Sequence, residues 1–142
     1  MKEQFVTYEI ALKLKELDFN EECLCTYAVN GRRFQRNPSN NMAGEEIEEP
    51  YTWKNSLIHK SVMTAPLWQQ VIDWFREKHN IIIEVWFDYT QININEFLWI
   101  YEIYVNNNQH DHDGSWYDNF NECREFAILK AIELLNNDKS KR

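Results

Sequence analysis

A chain of 142 residues is the size of one ordinary domain, and its 44% hydrophobic and 27% charged content is that of a folded protein, not a disordered one. A net charge of −8, from 15 basic and 23 acidic residues, sets the surface against a phosphate backbone unless the basic side chains cluster. With 3 glycines there is little material for a backbone cradle around nucleotide phosphates, and no apolar run reaches the roughly 20 residues a membrane-crossing helix needs.

The chain opens with MKEQFVTYEIALKLKEL, whose charges interrupt its apolar positions, unlike a secretory or transit leader. Thr7 is placed to cap a helix over residues 8–17, with Ile10, Leu14 and Leu17 on one stripe. Residues 23–35 predict a hairpin turning at Asn30-Gly31, where both central positions favour positive φ. Cys23 and Cys25 are poorly spaced for a disulfide, and with Cys123 the count is odd, so reduced, buried thiols in a cytosolic protein are expected. Residues 36–50 carry breakers and no periodicity and read as a mobile loop, and the stretch after Tyr51 reads as extended.

A second helix follows, with Thr64 as its expected cap, Pro66 in its first turn and Asn80 at its end. Leu67, Val71, Trp74 and Phe75 form a stripe that needs a partner layer. Residues 81–88 and 97–105 supply it as two strands whose odd positions are all apolar. The odd faces coincide only if odd pairs with odd, and one residue of slip would invert the face. A polar loop, NNNQHDHDG, and a short extended SWY come next. A final helix is capped at Asn119, with Glu122 at capping-box spacing. Its stripe is Cys123, Ala127, Ala131 and Leu134, and its basic end over 137–142 is expected to fray. The whole predicts a single α+β domain over 1–142, two layers deep, with three helices on antiparallel strands in the order α-ββ-(β)-α-ββ-(β)-α.

The segment TAPLWQQVIDWFREKHNI, together with ALKLKELDFNEECL and YDNFNECREFAILKAIELL, resembles short uncharacterised proteins encoded by phages and prophages of gut Bacteroidetes. The resemblance spans about half the chain. It implies a phage or mobile-element origin and a shared fold; that family has no assigned activity or site to carry over.

Three groups of residues invite a functional reading. Glu84, Trp86, Asp88, Glu102 and Tyr104 fall on the even face of the central hairpin, placing rings beside carboxylates, which suits a cation or a basic protein surface. Glu84 and Glu102 also have the form of a catalytic acid pair, but acids on adjacent strands are commonplace. Arg32, Arg33 and Arg36 flank Phe34 in the one basic cluster with an interleaved ring, as a ribbon touching phosphates would. The helix–strands–helix order of 66–135 resembles the double-stranded RNA-binding fold in outline, yet its last helix begins with Asp118, Glu122 and Glu125 where that fold needs cations. His110, Asp111, His112 and Asp113 have the chemistry of metal ligands, but counting a calcium loop from Gly114 puts Gln109 and Phe120 at ligating positions.

No H-E-x-x-H, G-x-S-x-G or phosphate-loop pattern is present, so no enzyme class or cofactor is indicated. Between Ile81 and Tyr117 there are six acids and no Lys or Arg. The sequence therefore favours a non-enzymatic module that binds a basic protein partner. The alternatives are a small-ligand-sequestering protein and, through Arg32, Arg33 and Arg36, a nucleic-acid binder.

Overall fold

The computed structural model describes residues 4–35, 52–89, 98–111 and 115–141. The chain is α+β. In order it forms α1 (Tyr8–Glu16), β1 (Cys25–Tyr27), β2 (Arg33–Gln35), a 3-10 turn (Asn55–Leu57), β3 (Met63–Ala65), α2 (Trp68–His79), β4 (Ile81–Phe87), β5 (Trp99–Val105), β6 (Asn108–Asp111) and α3 (Phe120–Ser140). The loop expected at 36–50 lies outside the described residues. The chain divides into two compact units, Met1–Trp68 and Gln69–Arg142.

In the first unit β1 is the central strand of an antiparallel sheet ordered β2-β1-β3. Thr7 caps α1 as expected, its hydroxyl accepting from the Ile10 N–H at 3.3 Å. The helix buries Ile10, Ala11 and Leu14 and packs on β3. The β1–β2 turn differs from the two-residue form the sequence suggests. Ala28 N–H bonds to the Arg32 carbonyl and Gly31 N–H to the Ala28 carbonyl, both at 2.9 Å, and only Gly31 has positive φ (+74°). This is a three-residue loop closed by a left-handed glycine.

Thr64 is not the cap of α2. It lies in β3, opposite Thr26 of β1, and is 1% exposed. The physical reason is Pro66: the residue before a proline is driven to extended backbone, so the helix waits until Trp68.

Asn55, on the 3-10 turn, ties the chain just after α1 to β3. Its side-chain amide donates to the Phe19 carbonyl (2.7 Å), and its side-chain oxygen accepts from the Thr64 N–H (2.9 Å). Asn55→Ala removes both bonds. It is expected to cost about 2–3 kcal/mol, seen as a lower urea midpoint. An unchanged midpoint would show that the two bonds carry no stability.

The second unit holds the sheet β4-β5-β6, all antiparallel. Ile81 pairs with Val105, Ile83 with Ile103 and Val85 with Tyr101, so odd residues do face odd residues. Ile81, Ile83, Tyr101 and Ile103 are buried. α3 packs on β4 and β5, and its Phe120 ring meets Trp99 of the odd face at 4.9 Å. Cys123, Ala127 and Ala131, one turn apart, bring the helix close to the strands. Ile128, Ile132 and Leu135 complete the buried stripe, which is rotated from the expected one: Leu134 is only half-buried. Asn119 caps the helix, accepting from the N–H groups of Asn121 and Glu122, and helicity continues past Asn136-Asn137 to Ser140. Asn80 ends α2 in the left-handed region (φ +51°).

The polar segments after β5 are more ordered than their composition suggests. The loop expected from Asn106 onward is a tight turn, Asn106 and Asn107 both having positive φ, followed by strand β6. Tyr117 of the SWY segment makes a two-way backbone bridge to Trp99 (2.8 and 2.9 Å).

Candidate functional site

The β4–β5 register brings the predicted acidic-aromatic residues together. Glu84 lies opposite Glu102, Ile82 opposite Tyr104 and Trp86 opposite Ile100. Like charges set directly across an antiparallel pair repel, so this arrangement is kept against a local cost. The Tyr104 hydroxyl donates to the Glu102 carboxylate at 2.8 Å. That bond, with desolvation and the negative charges of Glu102 and Glu84, raises the phenol above its ordinary value. Glu84 is exposed and, among the described residues, takes no hydrogen bond or ion pair. Trp86 is 37% exposed, so its ring presents a face to solvent.

These residues border an open groove of about 730 Å³. Five consecutive residues of β4, 82–86, line it. Its other walls come from α2 (Gln69, Ile72, Arg76), from Glu102, and from the start of α3 (Phe120, Arg124). Arg76 is turned to its own helix, pairing with Asp73 at 2.8 Å and Glu77 at 3.6 Å. Arg124 donates to Asn121 Oδ1 (2.8 Å), its guanidinium 5.0 Å from the Phe120 ring centre. The sequence reading missed these wall residues, although Gln69, Ile72 and Arg76 stand at helical spacing on one side of α2 and Phe120 and Arg124 do so on α3.

Asp88 does not join the group. It is 7% exposed, and its carboxylate accepts from the Trp116 indole N–H at 3.0 Å. Strand alternation placed it on the even face, but β4 ends at Phe87, and a ring 28 residues further along the chain closes over the acid.

The basic ribbon divides likewise. Arg32 is exposed, the Arg33 guanidinium lies 4.4 Å from the centre of the Phe5 ring, and Arg36 lies outside the described residues. Of the metal-like run, His110 and Asp111 belong to β6, while His112 and Asp113 lie outside the described residues. Among the described residues no group of three or more His, Cys, Asp or Glu is placed to hold a metal ion. Cys23, Cys25 and Cys123 are buried and free, and burial pushes the Cys23 thiol up to about 12. A thiol that keeps its proton at neutral pH is a packing group, not a nucleophile. No described helix is long and apolar enough to cross a membrane.

No protein-family model, curated protein or solved structure matches this chain.

Proposed function

We infer that the chain is a non-enzymatic module that binds another protein through the surface of Glu84, Trp86, Glu102 and Tyr104, with a basic patch as its counterpart. The observation that supports this reading is the Glu84–Glu102 pair: two carboxylates on directly opposed residues, Glu84 with no cation among the described residues, next to an exposed indole. A Lys or Arg brought between them relieves the repulsion, and the ring adds a cation–π surface. The resemblance to phage and prophage proteins fits an accessory role in a bacterial cytoplasm. The groove has the volume of a small-molecule pocket, but it follows a strand, a shape suited to a chain more than to a compact ligand.

The test compares the wild-type chain with the Glu84→Lys/Glu102→Lys double variant as baits in a bacterial lysate, with folding checked by circular dichroism. Basic proteins recovered by the wild type and lost by the variant are expected. Identical recovery by both baits would sink the reading.

A further inference from the structure

We propose that the outer edge of β4 accepts an extended segment of a partner protein as an added strand, with a Lys or Arg of that segment set beside Glu84. This deepens the protein-binding reading and rests on it.

The backbone phase of β4 follows from two bonds at its ends. Asp88 N–H donates to the Leu98 carbonyl (2.9 Å), and Asn106 N–H donates to the Asn80 carbonyl (3.1 Å). Both pairs continue the β4–β5 register, and both join even residues. In an antiparallel ladder the pairs that exchange hydrogen bonds alternate with pairs that do not. The even residues of β4 therefore turn their N–H and C=O groups to β5. Those of Ile83 and Val85 point the other way, across the free edge. β4 is the outer strand of its sheet, and among the described residues nothing bonds to that edge.

Edges of this kind are templates for strand addition. A second copy is a poor occupant. Glu84 is the middle residue of Ile81–Phe87, so two copies paired antiparallel in full overlap would set Glu84 beside Glu84, with Glu102 of each close by. The same carboxylates favour a foreign strand with a cation at that position. Its neighbours two residues away on the same face would rest against Ile82 and Trp86, and these positions call for apolar side chains.

Hydrogen exchange on the full chain tests the open edge. The amides of Ile83 and Val85 are expected to exchange at least about tenfold faster than those of Glu84 and Trp86. Equal, slow exchange at all four would mean the edge is already covered and would overturn the proposal. A display library of random octapeptides is then selected on the full chain. Sequences with Lys or Arg flanked at two residues on either side by apolar residues are expected. No enrichment, or enrichment without that pattern, overturns the proposal.

Val85→Pro removes an outward N–H and no ladder bond, so the fold tolerates it while a selected peptide binds at least about tenfold more weakly. Should this variant not fold, N-methylating alternate residues of the peptide reads the same bonds: one phase abolishes binding and the other preserves it. Binding indifferent to both changes overturns the strand-addition mode. If that binding is still lost in Glu84→Gln/Glu102→Gln, the broader protein-binding surface stands without it. If Glu84→Gln/Glu102→Gln also leaves binding intact, that surface falls as well.

Discussion

Phe75→Ala is expected to lower the unfolding free energy by about 3–5 kcal/mol, the largest effect of any single substitution considered for this chain. Phe75 is 0% exposed on the apolar side of α2, with the Trp74 ring 5.0 Å and the His79 ring 6.2 Å from its own. Truncation loses the transfer free energy of the ring and opens a cavity that the neighbouring large rings cannot close without leaving their rotamers. Phe126→Ala is the informative contrast. That ring is 46% exposed and keeps one stacked partner, Tyr117 at 5.3 Å, so its removal is expected to cost about 1 kcal/mol or less. Urea unfolding followed by tryptophan fluorescence measures both. A Phe75→Ala variant as stable as Phe126→Ala would mean that the α2 face is not buried as described.

The second large effect is alkaline loss of stability through Cys23. In the unfolded chain this thiol titrates near 9.0, and in the fold near 12. Burial is the main cause; repulsion from Glu21 and Cys25 adds to it, and the nearby Thr64 side chain opposes it. Below pH 9.0 both states keep the proton, and folding has the full benefit of a neutral buried thiol. Between 9.0 and about 12 only the unfolded chain releases it, so stability falls as pH rises, to a total on the order of 4 kcal/mol. Other groups titrate in this range, so the useful quantity is the difference between the wild type and Cys23→Ala. The variant is less stable at neutral pH because it leaves a small void, and its disadvantage should shrink as pH climbs. Two curves that stay parallel from about pH 8 to about pH 11 would show that the Cys23 thiol is not held neutral by the fold.

Much of the fold can be read from the sequence because periodicity and punctuation agree there. The stripe through Val71, Trp74 and Phe75, the odd-on-odd pairing of β4 with β5 and the caps at Thr7 and Asn119 are all local patterns with one physical solution. Where the reading failed, two local rules competed or none applied. At Thr64 a good capping side chain was outweighed by the backbone restriction that Pro66 places on Ala65. At 108–111 an outer strand made of Asn, Gln, His and Asp carries no apolar alternation, so only the paired left-handed asparagines before it mark a hairpin.

The candidate site shows the same divide. Glu84, Glu102 and Tyr104 are joined by strand register, which the alternating pattern anticipates. The groove walls from α2 and α3 and the burial of Asp88 under Trp116 depend on how separate elements pack, and no local spacing encodes that.

The β1–β2 turn has a bearing on how this molecule ages. An asparagine followed by glycine is the sequence most prone to succinimide formation, in which the glycine nitrogen attacks the asparagine side chain. Here the Gly31 N–H is held by the Ala28 carbonyl, and Asn30 Oδ1 accepts from the Arg32 N–H at 3.0 Å, so the nucleophile is tied back and the side chain is fixed in orientation while the hairpin is closed. Deamidation at Asn30, read by peptide mass spectrometry of stored samples, should therefore accumulate in step with the time the first unit spends open. The turn becomes a chemical clock for that opening.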